Sequence, residues 1–154
     1  MSSAERKYVL DSNLFIHGFR DDTANLELQR FHSLFAPFEY MSVIVAQELR
    51  AGARSAADRK ILERAVLSPF ARRDRLIAPS AHAWEESGNV LAELVRKEGL
   101  ELKRISKSFG NDILLALSCR ESGMVLVTEN VGDFKRIAKV APFKFTAPWP
   151  SPKS

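Results

Sequence analysis

Cysteine is almost absent from this sequence: Cys119 is the single one among 154 residues. An internal disulfide is therefore excluded, and a lone thiol on an apolar helix suits a reducing cytoplasm. No apolar run approaches the roughly 18–20 residues of a membrane span. The opening stretch, MSSAERKYVLDSN, also lacks the apolar run of a secretory signal. We therefore expect a cytoplasmic protein without a membrane partner, in which Cys119 is buried and structural.

Motifs for zinc and for nucleotide phosphates are missing as well. The three histidines, His17, His32 and His82, are scattered along the chain, and there is no cluster of Cys and His at zinc-ligand spacing. The sequence contains neither a P-loop nor a GxGxxG motif. A zinc centre and a glycine-rich nucleotide cradle are therefore not indicated.

Positive charge is in modest excess, with 23 Lys and Arg against 19 Asp and Glu. The segment 50–75 concentrates it, with eight basic and three acidic residues. This segment is either a footprint for a polyanion or simply a solvated basic surface. For the first case, we predict that the RNA-binding residues are Arg50, Arg54, Arg72 and Arg73.

Short apolar runs alternate with longer helical patterns. Strands are predicted at 8–10, 40–43, 76–77, 124–127 and 143–145, and helices at 22–35, 44–52, 56–70, 80–98, 110–122 and 131–138. This alternation is typical of an α/β sandwich with a mainly parallel central sheet. In such sheets, ligands bind at the carboxyl ends of the strands.

A single domain is predicted by the length and by the absence of internal repeats. We divide the chain into an N-terminal extension (1–7), the domain (8–146) and a flexible proline-rich tail (147–154). On the helix at 80–98, an apolar face at helical spacing predicts burial of Trp84, Gly88, Leu91 and Val95.

Four acidic residues are predicted to meet at the carboxyl edge of the sheet: Asp11, Glu48, Asp112 and Asp133. Asp11 directly follows the first strand, and we expect Asp112 in the first turn of an apolar helix that ends at Gly123. Each acid alone is equally well explained as a capping, turn or surface residue. Together they form a cluster that repels itself unless cations or protons compensate it. Hard divalent ions such as Mg²⁺ take this kind of oxygen ligand.

These motifs resemble those of the PIN-domain ribonucleases, and more narrowly the VapC toxins of bacterial toxin–antitoxin pairs. The resemblance rests on DSN after the first strand, on Glu48 in AQELRAGA, and on GNDILLALSCRESGMVLVTENVGDF. It spans the chain from Tyr8 to about Phe145. The order and spacing of the motifs together are specific, although each motif alone is weak.

The resemblance implies a three-layer α/β/α sandwich and a Mg²⁺- or Mn²⁺-dependent endoribonuclease. It carries the metal-binding and catalytic acids to Asp11, Glu48 and Asp112, and the T-x-N-x-x-D-F loop to residues 128–134. Either Asp133 or Asn130 completes the site, while Asn13, Thr128 and Asn130 are expected to orient ligands or water. Glu129 departs from the family pattern, because a basic or neutral residue is common there. An RNA substrate, a cognate antitoxin and a homodimer are implied as partners.

Three alternatives remain open at the level of the sequence. The first is a PIN nuclease of RNA processing, and the second is a non-catalytic PIN-fold RNA-binding module. The second would be marked by loss of site acids, and all four are present. The third is a receiver-like domain, which expects a paired-Asp motif and a lysine after a late strand, and neither is evident.

Overall fold

A computed structural model of the chain describes residues 6–151. The five strands are β1 (Tyr8–Leu10), β2 (Glu39–Ser42), β3 (Leu76–Ile77), β4 (Val125–Val127) and β5 (Phe145–Thr146). The helices are α1 (Ser12–Arg20), α2 (Asp22–Phe35), α3 (Val43–Gly52), α4 (Ala56–Ile61), α5 (Ser68–Arg72), α6 (Ala81–Glu98), α7 (Lys107–Ser122) and α8 (Val131–Val140). Short 3₁₀ turns occupy Ala36–Phe38 and Leu102–Arg104, and a π-helical turn, Leu62–Leu67, joins α4 to α5.

The strands form one sheet in the order β3-β2-β1-β4-β5, and every neighbouring pair is parallel. The chain moves outward from β1 to β3 in one direction, then returns to β4 and continues to β5 in the other. Right-handed crossovers in opposite directions place their helices on opposite faces of a sheet. In agreement, α1 packs on α2 and α3, whereas α6, α7 and α8 pack on one another. The predicted α/β sandwich with a parallel sheet is confirmed.

The reversal of direction creates a switch point between β1 and β4, the site at which open α/β sheets bind ligands. The strands on both sides are buried: Val9, Leu126 and Val127 have no exposed surface. Polar atoms that follow these two strands are therefore held by a rigid core.

Helix boundaries are set by local capping. Asp21 accepts a hydrogen bond from the Ala24 amide and begins α2, and Ser80 does the same for α6 through Ala83. Gly123 ends α7 in the left-handed conformation, with a φ of 68°, as predicted. The predicted helix at 56–70 is continuous in the structure but contains the π-helical turn and extends to Arg72.

Two predictions about helices were wrong: which face of α6 is buried, and where α7 begins. Trp84 is 59% exposed, because the buried face of α6 is shifted by one residue to Ala83, Ser87, Val90 and Leu94. Helix α7 begins at Lys107 with Ser106 as its cap, so Asp112 lies in the second turn and not the first. For α6 the sequence fits two registers, and packing against the neighbouring elements distinguishes them, whereas the Ser106 cap sets the start of α7.

The chain still contacts the domain beyond β5. The ring of Trp149 lies 5.3 Å from that of Phe31, and its Nε1 donates to Glu27 Oε2 at 2.9 Å. Residues 1–5 and 152–154 of the predicted extension and tail lie outside the described residues, so the proposed domain limits stay a prediction. Within residues 6–151, no helix is both long and apolar enough to cross a membrane.

Candidate metal centre

Asp11 is fixed more firmly than the other site acids. It directly follows β1, caps α1 by accepting a hydrogen bond from the Ser12 amide at 2.8 Å, and is 4% exposed. The buried Thr128 hydroxyl donates to Asp11 Oδ2 at 2.7 Å, and Asn13 Nδ2 lies 3.3 Å from the same oxygen. Burial raises the pKa of Asp11, while the hydrogen bonds from Thr128 and Ser12 oppose this rise.

Glu48 lies on α3, the helix that follows β2, and β2 is the neighbour of β1 in the sheet. The Ser12 hydroxyl donates to Glu48 Oε1 at 3.1 Å, which ties α3 to the first turn of α1. Burial and the charge of Asp11 raise the pKa of Glu48, and hydrogen bonds from Ser12 and Asn111 lower it.

Asp112 is the most perturbed acid. It is 7% exposed on α7, and its pKa is raised from 3.8 to about 8 by burial and then by the charges of three other acids, Asp11, Glu48 and Asp133. All four predicted acids therefore lie within electrostatic range of one point. The prediction that the fold brings them together is consistent with this coupling.

The loop after β4 connects Asp112 and Asp133. Asn130 Nδ2 lies 3.4 Å from Asp112 Oδ2 and 3.1 Å from Asp133 Oδ2, so a single amide spans both carboxylates. The backbone N–H of Asn130 donates to Thr128 Oγ1 at 2.9 Å. Thr128 and Asn130 thus hydrogen-bond to three of the four acids, and their predicted role in orienting ligands or water stays a prediction. Asp133, in the first turn of α8, also accepts from Arg136 at 3.2 Å.

A hard cation fits this set of oxygen donors. The four carboxylates carry more negative charge than Arg136 compensates, and Asn13 Oδ1 is buried without a hydrogen-bond partner among residues 6–151. Within the same residues, no three His, Cys, Asp or Glu side chains stand close enough together to hold an ion by themselves. Mg²⁺ needs no such cage, because it keeps several waters and uses one or two carboxylates. Asp11 and Asp112 would hold it, with Glu48 and Asp133 beside them.

The chain matches the PIN domain family over residues 8–140. It belongs to the PIN-domain family. It is 32% identical to Ribonuclease VapC2 of Haemophilus influenzae over 133 residues, which span 85% of this chain and 92% of that protein. With this relative, the chain falls among the VapC-type PIN domains.

Solved structures show the same fold. DNA-bound VapBC from Salmonella typhimurium superposes with a TM-score of 0.68 at 25% identity, over 92% of this chain and 98% of that one. VapBC2 from Rickettsia felis, bound to a promoter DNA fragment, gives a TM-score of 0.63 at 26% identity, over 93% and 98%.

Two of the predicted RNA-binding arginines lie at the opposite edge of the sheet from this PIN-domain site. Arg72 and Arg73 are exposed just before β3, at the amino edge of the sheet, whereas the acids follow the carboxyl ends of the strands. Arg50 is held by Glu63 through two hydrogen bonds of 2.6 and 3.2 Å, and Arg54 is exposed beyond the end of α3. The segment 50–75 is therefore not one continuous footprint beside the acids.

Some residues of the site were not predicted. Ser12 and Asn111 are adjacent to predicted acids in the DSN and GND motifs, and both hydrogen-bond to Glu48. Arg136 lies one turn after Asp133 and also pairs with Glu98 at 2.7 Å. Its spacing of three residues from an acid on a predicted helix is the one sequence signal for this contact.

Proposed function

We propose that this chain cleaves RNA phosphodiester bonds in the cytoplasm as the Mg²⁺- or Mn²⁺-dependent toxin of a toxin–antitoxin pair. The observation that carries the proposal is the burial of Asp112 beside three other acids at the switch point of a PIN-family sheet: burial first, and then the charges of Asp11, Glu48 and Asp133, raise its pKa to about 8. Such a cluster of acids is stable as anions only with a compensating cation, and a bound divalent ion promotes phosphodiester hydrolysis.

The residues divide the work by position. Asp11 and Asp112, the two most buried of the four site acids, would hold the divalent ion, which would neutralise phosphate charge and lower the pKa of a water molecule. Thr128 and Asn13 keep Asp11 oriented through hydrogen bonds of 2.7 and 3.3 Å. Glu48 is linked to Asp11 through Ser12, and Asp133 is linked to Asp112 through Asn130, and these two acids complete the site.

RNA approaches from the open carboxyl edge of the sheet. Arg20 and Glu48 line the same groove of about 440 Å³, so Arg20 is a cation in the groove that reaches Glu48. It supports contact with the RNA backbone better than Arg72 and Arg73 do, because phosphate contacts require proximity to the cut site.

The same groove supports an antitoxin partner. It runs between α1, α3 and α4, and the apolar side chains Phe19 and Ile61 are 55% and 64% exposed there. Exposed aromatic and aliphatic anchors beside a functional site are typical of protein interfaces. An antitoxin segment in this groove would block Glu48. The proposal also retains a homodimer, as the resemblance implies.

The test of cleavage uses purified protein and end-labelled RNA. We expect cleavage with Mg²⁺ or Mn²⁺ and none with chelator, and we expect Asp112→Asn to lose at least about a hundredfold in rate, since a metal ligand is removed. Asp74→Asn is the matched control, because Asp74 is exposed in the turn after α5 and lies outside the groove. Cleavage by Asp112→Asn at the parental rate would contradict the proposal.

The antitoxin is tested by expression with and without the neighbouring gene. If its product binds, Phe19→Asp and Ile61→Asp should each weaken the complex at least about tenfold. Unchanged affinity in both variants would exclude the groove as the contact.

A further inference from the structure

A second cavity, of about 410 Å³, opens one helical turn away from the acids. Its wall includes Leu14, His17, Asp21, Glu27, Glu129 and Trp149. Its volume lies in the range of small-ligand sites. The metal site as described above uses none of its polar side chains.

The cavity is joined to the metal site by a fixed register between α1 and the loop after β4. Asn13 contacts Thr128 at 3.4 Å, and His17, four residues later on the same face of α1, contacts Glu129 at 3.2 Å. One helical turn rises about 5.4 Å. A nucleotide whose phosphate lies at Asp11 therefore has its base within reach of this cavity.

The walls favour a base over a phosphate. Asp21, Glu27 and Glu129 each contribute a carboxylate, which repels phosphate and accepts hydrogen bonds. Each of the three already accepts one internal hydrogen bond: Asp21 from Ala24, Glu27 from Trp149, and Glu129 from His17 when that ring nitrogen carries a proton. A carboxylate has several lone-pair sites, so acceptor capacity remains.

The aromatic wall provides a stacking surface. Trp149 is held in place on one side by Phe31 and at its ring nitrogen by Glu27. Bases of single-stranded RNA are recognised by stacking on aromatic rings together with hydrogen bonds to their Watson–Crick edges. Trp149 and the carboxylate of Glu129 supply these two elements.

We propose that this cavity, the Trp149–Glu129 pocket, binds an unpaired guanine next to the scissile phosphate and so sets the sequence preference of the enzyme. Guanine is the base that presents two adjacent donors, N1–H and the 2-amino group, on one edge, and a carboxylate accepts both. This inference rests on the proposed RNA cleavage. It assigns a role to Glu129, the residue at which the chain departs from the family pattern.

Binding is measured with the Asp112→Asn protein and labelled pentanucleotides UUXUU, by fluorescence anisotropy. With X as guanine, we expect about tenfold tighter binding than with X as uracil, since a good bidentate contact discriminates by about this factor or more. Inosine, which lacks the 2-amino group, should lose most of this preference. Equal affinities for guanine, inosine and uracil would overturn the proposal.

Variants then locate the contact. Adding Glu129→Gln should reduce the guanine-to-uracil ratio to within about twofold, whereas Glu101→Gln, an exposed acid after α6, should leave the ratio unchanged. Trp149→Ala should weaken binding of every base about fivefold or more, and Trp149→Phe should restore most of it. A guanine preference that survives Glu129→Gln assigns recognition elsewhere and refutes the pocket.

The two proposals fail in different ways. Cleavage of random-sequence RNA by the parent in Mg²⁺, with no enrichment of guanine beside the cut, would refute the pocket and leave the nuclease intact. Guanine-selective binding without any cleavage would refute the nuclease. If arginine amide displaces the guanine pentanucleotide better than guanosine does, the cavity holds a cationic side chain of a protein partner and the proposal is wrong.

Discussion

The substitution Asp112→Asn should make the metal-free protein more stable at neutral and mildly alkaline pH. In the folded chain the pKa of Asp112 rises from 3.8 to about 8, through burial and through the charges of Asp11, Glu48 and Asp133. A group with a raised folded pKa contributes its full stability below the unfolded pKa, and this contribution is lost as pH rises through the folded value. The loss therefore accumulates between about pH 4 and pH 8. Asparagine does not ionise, so the Asp112→Asn protein does not undergo this loss of stability.

The magnitude follows from the size of the shift. A pKa difference of one corresponds to about 1.36 kcal/mol, so the unscreened penalty near pH 8 is about 5 kcal/mol. The site opens to solvent at the sheet edge, and screening reduces this to about 2 kcal/mol. For a chain of this length, each kcal/mol shifts the melting temperature by about 2–4 °C. We therefore expect Asp112→Asn to melt about 4–8 °C above the parent in chelator at pH 8, and close to it at pH 4.

Added Mg²⁺ should stabilise the parent protein more than it stabilises the Asp112→Asn protein. An ion that binds only the assembled site stabilises the folded state by mass action, and the variant has lost one ligand. The assay is thermal melting of both proteins at pH 4, 6 and 8, in chelator and in millimolar Mg²⁺, with Asp74→Asn as the control. Equal melting temperatures in chelator at pH 8, together with equal Mg²⁺ shifts, would show that Asp112 does not belong to a converged site.

Four further predictions follow from other parts of the structure. Mg²⁺ binding should release a proton at pH 7 because Asp112 is protonated there, and calorimetry in buffers of different ionisation enthalpy counts it; no released proton would contradict the pKa of about 8. Thr128→Val should cost about 1–3 kcal/mol in urea unfolding, since Asp11 loses a buried donor, and a neutral result would remove Thr128 from the site. Trp84→Ser should change stability by less than about 0.5 kcal/mol, whereas a buried Trp would cost about 3–5. Replacing Arg72 and Arg73 by Glu should leave the slope of log RNA affinity against log salt unchanged. Arg20→Glu should make this negative slope shallower by about one.

Much of the fold could be predicted because its signals are local. Three-residue apolar runs bounded by polar turns mark β1 and β4, and the left-handed position at Gly123 marks the end of α7. The parallel sheet then brings the residues after β1 and β4 to one edge whatever the details of packing. The prediction of the four acids rests on this placement together with the family resemblance.

What could not be predicted depends on long-range contacts. The face of α6 that is buried is decided by α7 and α8, so a one-residue shift exposed Trp84. The basic segment 50–75 appeared continuous in sequence, yet α3 carries the chain from the carboxyl edge of the sheet and α5 delivers it to the amino edge. Charge patterning along a chain does not show which edge of a sheet each residue reaches.

The earlier start of α7 explains why Asp112 is the most perturbed acid of the site. In a first turn, its carboxylate would lie among unpaired amide N–H groups and the positive end of the helix dipole, which stabilise negative charge. Because Ser106 caps the helix, the unpaired amides and the positive end of the dipole lie one turn before Asp112. Asp112 itself lies in a buried stretch of α7. Its contacts then come from outside its own helix: Asn130 supplies a neutral donor at 3.4 Å, while three acids supply repulsion. At neutral pH the carboxylate is therefore mostly protonated until a cation arrives, so the same burial that lowers the stability of the free protein couples metal binding to proton release.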